Sequence, residues 1–159
     1  MDNKIDRKKV LIVGEYKLAK AIASSLLKRG CSVTVINDDS EECERLAEIK
    51  GLSVIFGNGT RKSVLKDASA ESRDIVIAVT ECDEKNLIIS EICKDEFKVK
   101  RTIALLEDGE KSSFFYKMGV DRIISPLNMV TTIMEEEALK DEVTNRLSIG
   151  NGRMIISET

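Results

Sequence analysis

The sequence predicts an α/β fold, a doubly wound parallel six-stranded sheet with an extra C-terminal helix, and three observations carry that reading. Residues 8–37, KKVLIVGEYKLAKAIASSLLKRGCSVTVIN, pass from an apolar strand through a glycine and an amphipathic helix into a second apolar strand. That is a βαβ unit of about 30 residues. Apolar runs rich in Val and Ile then recur between helical stretches along the chain. They are continuous runs, not alternations, as expected of strands covered by helices on both faces. Right-handed crossovers gather the C-terminal ends of such strands, and so every candidate binding loop, on one edge of the sheet.

The first strand, 10–13, runs straight into Gly14, and the helix after it stops at Gly30 before the second strand, 33–36. Asp39-Ser40-Glu41-Glu42 reads as a capping box, with Asp39 as N-cap and Glu42 reaching back from the third helical position. The helix it opens carries Cys43, Leu46, Ala47 and Ile49 before Gly51. A third strand, 53–56, halts at Gly57-Asn58-Gly59, and Thr60 reads as the N-cap of a short helix over 62–67. The fourth strand spans 74–79, and Asp83 is expected to cap a long helix over 84–96. A fifth strand over 101–106, a helix over 110–118 and a strand over 122–124 complete the sheet. Pro126, the sole proline, suits the first position of a helix over 126–140. Leu127, Val130, Ile133, Met134 and Ala138 share one stripe of it, suited to packing on its own domain or on a neighbour. The organisation expected is one domain over 1–140 and an extension over 141–159, in which 147–156 reads as a hairpin or lone strand.

Composition narrows the chemistry. With 159 residues and 42% apolar content the chain supplies one good core. Asp and Glu outnumber Lys and Arg by 28 to 25, which leaves no electrostatic footprint for nucleic acid. No histidine is present, which removes Ser-His and Cys-His catalysis and the commonest general base. Cys31, Cys43, Cys82 and Cys93 form no close CxxC pair, so they read as small buried thiols and not as a zinc or redox centre. No apolar run approaches the roughly 18 residues of a membrane span, and the polar start MDNKIDRKK is unlike a signal peptide. A cytoplasmic location is expected, with attachment to a membrane only through a partner.

The binding edge is Rossmann-like in outline and altered in detail. The phosphate-binding G-x-G-x-x-G turn reads here as Gly14-Glu15-Tyr16-Lys17-Leu18-Ala19. Gly14 keeps the tight turn and Ala19 the helix packing, while Tyr16 puts a side chain where phosphate meets main chain. Amides at the helix start and the charge of Lys17 still favour an anion. The ribose position falls on Asn37, 23 residues beyond Gly14, with Asp38 beside it. Asn58, Gly59 and Thr60 offer close approach and hydrogen bonding after the third strand. Thr80 stands at the fourth strand's tip, and Asn86 lies too early in its helix to serve propensity.

The segments VLIVG, VTVIN, GNGT, DIVIAVTECDEKNLIIS and MGVDRIISP, in this order, resemble the nucleotide-binding TrkA-N or RCK-N half of potassium-regulatory domains. These belong to Trk-type uptake subunits and to domains that regulate potassium channels. The resemblance covers about 8–138, and the Thr-x-x-Asp-Glu-x-Asn pattern of Thr80, Asp83, Glu84 and Asn86 is its most discriminating feature. It implies a nucleotide, NAD(H), ATP or ADP, held across the strand tips. It further implies dimers or larger rings, a membrane potassium transporter or channel as partner, and no catalysed reaction. The implied contacts are Gly14, Lys17 and Ala19 at the phosphate turn, Asn37 at the ribose, then Asn58, Gly59, Thr60, Thr80 and Asn86.

Several positions depart from the family pattern. Tyr16 replaces glycine, Asn37 and Asn58 replace aspartates, and Leu105 stands where arginine is common. A ligand with one phosphate or none, AMP or adenosine, asks less of the altered turn. Two other readings compete with the regulatory one. One is a scaffold that has lost its ligand altogether. The other, weaker, is a small NAD-dependent oxidoreductase, for which the chain offers neither a substrate domain nor a placed acid or base.

Overall fold

The computed structural model describes residues 7–141. Strands β1 (Lys9–Gly14), β2 (Ser32–Asn37), β3 (Ser53–Phe56), β4 (Ile75–Val79), β5 (Arg101–Leu105) and β6 (Arg122–Ile124) form one sheet in the order β3-β2-β1-β4-β5-β6. All neighbours run parallel. Helices α1 (Tyr16–Lys28), α2 (Ser40–Ala47), α3 (Lys62–Asp67), α4 (Asp83–Asp95) and α5 (Ser112–Lys117) make the connections. The chain leaves β1 towards β2 and β3, then returns to place β4 on the other side of β1. The strand order therefore reverses between β1 and β4, where open α/β sheets bind ligands.

The Val- and Ile-rich runs are strands because both of their faces are covered. In β1, Val10 and Ile12 join one apolar cluster and Leu11 and Val13 the other, and all four are at most 3% exposed. Ala19 and Ala23 of α1 and Leu46 of α2 complete the first cluster. Leu65 of α3, Ile89 and Cys93 of α4 and Phe115 of α5 complete the second. The small alanines of α1 let that helix lie close against β1, as the third position of the turn motif requires.

Three local expectations are corrected. Asp39 does cap α2, accepting from Glu42 N–H at 3.0 Å, but Glu42 does not reach back to close the box. Its carboxylate instead accepts from the Asn37 side chain, while Asp39 N–H donates to Asn37 Oδ1. Thr60 does not cap α3, whose N-cap is Arg61 without a side-chain bond, because the Thr60 hydroxyl donates to Asn58 Oδ1. Asp83 is the first residue of α4, not its cap, and its carboxylate reaches across to accept from Glu107 and Asp108 N–H. Element ends also shift slightly. Asp74 leaves β4 to bond Lys9 N–H through its carboxylate, and a 3-10 turn, Gly109–Lys111, precedes α5.

The contact pattern divides the chain after Ser125. Helix α6 (Pro126–Leu139) opens the second unit, and its Leu127, Val130, Ile133 and Met134 are each more than half exposed. The hairpin or strand expected over 147–156 lies outside the described residues. No helix among the described residues is long and apolar enough to cross a membrane.

Candidate functional site

A cleft of about 480 Å³ opens at the C-terminal tips of β1, β2, β3 and β4. That volume lies within the roughly 300–1,000 Å³ typical of small-molecule sites. Its position follows from the crossovers: each strand ends here, and each turn into the next helix adds to the wall.

Gly14 is glycine because β4 is so near. A Cβ there would lie 2.5 Å from the Val79 carbonyl oxygen, so no side chain fits. Gly59 meets a similar limit, since a Cβ would come within 2.3 Å of Val13 Cγ1. The loop after β3 is held by Asn58, whose Oδ1 accepts from Thr60 N–H and Thr60 Oγ1–H at 2.9 and 2.7 Å.

The phosphate turn differs most from expectation. Glu15 is the N-cap of α1, and its two carboxylate oxygens accept from Lys17 N–H at 2.8 Å and Leu18 N–H at 2.9 Å. Glu15 N–H in turn donates to the Val79 carbonyl at 3.3 Å. Three of the four amides that a helix start normally leaves open are thus occupied from within the chain. Tyr16 does not block the cleft. Its ring packs beside the first apolar cluster, with the Arg45 guanidinium 4.1 Å and the Lys20 ammonium 5.5 Å from its centroid.

Asn37 is 3% exposed and fully engaged. Its Nδ2 donates to Gly14 O at 3.1 Å and Glu42 Oε1 at 2.9 Å, and its Oδ1 accepts from Asp39 N–H at 2.7 Å. Asn86, 1% exposed, serves the same purpose at the tip of β4. Its Oδ1 accepts from Thr80 N–H and Oγ1–H, and its Nδ2 donates to the carbonyls of Thr80 and Leu105. The first asparagine ties β1 to β2 and α2, the second ties β4 to α4 and β5. Leu105 packs into the first apolar cluster.

Of the residues singled out from sequence, Gly14, Asn37, Asp38 and Thr80 line the cleft, as do Asn58, Gly59 and Thr60. Tyr16, Lys17, Leu18, Ala19 and Asn86 fall outside the lining and act on it through the turn or the strand tip. Sequence reasoning missed Glu15, Glu42, Glu81 and Lys85, which also line it. The lining's charge is one-sided: Glu15, Asp38, Asp39, Glu42 and Glu81 face a single cation, Lys85. The Cys43 thiol registers this field, its pKa raised by burial first and then by Asp39, Glu42 and Asp38. Asp38 makes no hydrogen bond among the described residues, so its carboxylate is available to accept from ligand hydroxyls. The cleft thus offers an open hydroxyl acceptor in Asp38, while the Lys17 and Leu18 amides, which an anion at the turn would use, are already bonded to Glu15.

Comparison with known proteins places the chain among relatives. The TrkA-N domain model matches residues 10–126. The Trk system potassium uptake protein TrkA homolog of Methanothermobacter thermautotrophicus is 29% identical over 143 residues, 90% of this chain and 66% of that protein. The homolog 1 of Methanosarcina mazei is 33% identical over 142 residues, 89% of this chain but 31% of the relative. This chain thus spans about two-thirds of one relative and under a third of the other. Among solved structures, the TrkA-N domain of the inner membrane protein YbaL from Escherichia coli superposes with a TM-score of 0.76 at 16% identity, covering 84% of this chain and 98% of that one. The Kef CTD of Shewanella denitrificans in its AMP-bound form gives 0.70 at 18% identity, over 82% and 79% of the two chains. The GsuK channel bound to NAD gives 0.68 at 20% identity, over 78% of this chain and 22% of the channel.

Proposed function

The chain belongs to the TrkA-N domain family, and from that we propose that it is a non-catalytic regulatory module for potassium transport. It takes an adenine nucleotide of the series NAD(H), ATP, ADP and AMP at the strand tips, and the bound ligand alters how the module acts on a membrane transporter or channel. The observation that carries this reading is the cleft at the reversal of strand order, walled by Gly14, the Gly57-Asn58-Gly59 loop and Thr80. The relatives' names supply the potassium transport, and the AMP-bound Kef CTD and NAD-bound GsuK supply the ligand class. Association into a homodimer or larger ring on the cytoplasmic side of the membrane belongs to the same proposal.

Isothermal titration against AMP, ADP, ATP and NADH, with mass recorded by light scattering, tests it. Micromolar affinity for any of them, about −8 kcal/mol, supports a working sensor. A titration silent across the series and with adenosine favours the second reading, a scaffold without ligand, to which the Glu15 cap and the acidic lining lend weight.

A further inference from the structure

We propose that the Glu15 carboxylate stands in for a ligand phosphate, so that the cleft prefers adenosine to AMP, and AMP to ADP and NAD. The inference rests on the adenine-ligand reading above and sharpens it to an uncharged nucleoside.

A phosphate bound at a strand-to-helix turn is held by the amides of the helix's first turn. In this chain the Lys17 and Leu18 amides already point at the two oxygens of Glu15, at 2.8 and 2.9 Å. The carboxylate supplies the negative charge that the positive end of the 13-residue α1 favours. Being tethered to the turn itself, it meets that need without the loss of translational freedom that a ligand incurs. A phosphate arriving at the same amides must displace it.

The displaced carboxylate has no good destination. The cleft lining adds four further carboxylates and one ammonium, Lys85. The phosphate and the expelled Glu15 would share the cleft with those like charges, an arrangement that costs affinity. The cations nearest the turn do not compensate. Lys20 and Arg45 lie over the Tyr16 ring, and neither they nor Lys17 line the cleft. The site would thus have to bind two phosphates with one lysine.

The features that recognise a nucleoside are untouched by Glu15. Asp38 offers an unpartnered carboxylate at the tip of β2, suited to ribose hydroxyls. Gly59, where a Cβ would come within 2.3 Å of Val13 Cγ1, presents bare backbone to the wall after β3, beside the side chains of Asn58 and Thr60. A cleft of about 480 Å³ holds a nucleoside without recruiting the turn.

The experiment is titration calorimetry of the whole chain with adenosine, AMP and ADP, repeated for Glu15→Ser and Glu15→Gln. Serine is a good N-cap, so the first variant keeps α1 while removing the charge and opening the Leu18 or Lys17 amide. The second removes the charge but still fills the space. The wild type is expected to bind adenosine most tightly. Glu15→Ser should gain about tenfold for AMP and ADP, the size of one anion at a helix start, and change little for adenosine. Glu15→Gln should gain less.

A second measurement needs no variant. Raising salt screens like-charge repulsion, so AMP and ADP should bind the wild type more tightly at high salt, opposite to an ordinary phosphate site. Tighter binding of ADP than adenosine by the wild type, or equal ADP affinity in wild type and Glu15→Ser, overturns this inference and leaves the nucleotide reading standing. No binding of any ligand by any of the three proteins overturns both.

Discussion

The Asn37 side-chain amide donates to the Gly14 carbonyl oxygen at 3.1 Å, joining two strand tips that are 23 residues apart in the chain. Its other amide hydrogen goes to Glu42 at 2.9 Å. Asn37→Asp, which restores the residue typical of the family, would set an acceptor against both partners in a buried position. We expect a loss of about 2–4 kcal/mol in denaturant unfolding, the range for an unpaired buried charge. Adding Glu42→Gln supplies a donor to the new carboxylate, so the double variant should recover more than about 1 kcal/mol of that loss. Strictly additive effects would show that the two side chains do not communicate.

Gly14→Ala and Gly30→Ala separate two reasons for a glycine. At Gly14 the added carbon meets backbone of β4, 2.5 Å from Val79 O, and the central β1/β4 pairing must open to admit it. At Gly30 the space is empty within 4 Å, but φ is +90°. The first substitution should destabilise by more than about 3 kcal/mol, as overpacking against backbone does. The second should cost about 1 kcal/mol, the strain of one left-handed residue. Melting temperatures of the two variants give the comparison, and a mild effect at Gly14 would mean that the β1/β4 pairing yields readily to the added carbon.

The fold is legible in the sequence because burial on both faces leaves a plain signature. Runs such as those around Leu11 and Val76 contain no polar residue to point outward, and their spacing leaves room only for helical crossovers. The turn glycines are legible for the same reason, as breaks in those runs. The hydrogen bonding of the site is not. Residue type identifies Asn37 and Asn86 as polar at strand tips, but only the three-dimensional placement shows every donor and acceptor on them already engaged. Glu15 is hidden because N-caps favour short side chains, Ser, Thr, Asp and Asn. A glutamate reaches its own second and third helical amides here because its backbone is extended, at φ −74° and ψ 162°. The motif position marks Tyr16 as a block, yet its ring lies under Arg45 and against the first apolar cluster, neighbours that sequence alone does not bring near.

Asp121 gives the molecule an acid-sensitive joint. Burial alone would raise its carboxyl, but Lys94 Nζ at 2.6 Å and the N–H and hydroxyl of Thr102 outweigh that and hold it below its ordinary value. A folded pKa lower than the unfolded one adds stability above the unfolded value, and that stability is lost as pH falls through the folded one. Asp121→Asn should therefore lower stability at neutral pH. The gap to wild type should close as pH drops below about 4. Glu84, held low by Lys111 at the surface, is common to both proteins and cancels in the difference. A gap that stays constant from pH 7 to pH 3 would show that the carboxylate's charge contributes nothing.

The four cysteines supply a test of the cleft that needs no calorimeter. Cys93 is fully buried in the second apolar cluster, and its thiol is pushed up to about 12 by burial alone. Cys43 is buried as well, donates to the Asn37 carbonyl at 3.3 Å and is raised by burial and three nearby carboxylates. Cys31 and Cys82 are half-exposed. Since the thiolate is the reacting species, a maleimide should label Cys31 and Cys82 first in the native protein, Cys43 slowly, and Cys93 only on unfolding. Cys82 alone of the two fast thiols lines the cleft. A bound nucleoside should therefore slow labelling at Cys82 and leave Cys31 unchanged, an internal control read by mass spectrometry of the same digest. Equal rates at Cys82 with and without saturating adenosine, in a protein that binds adenosine by titration, would put the ligand somewhere other than this cleft. Protection at Cys82 that follows the order adenosine, AMP, ADP would connect the position of the ligand to the carboxylate that Glu15 holds at the start of α1.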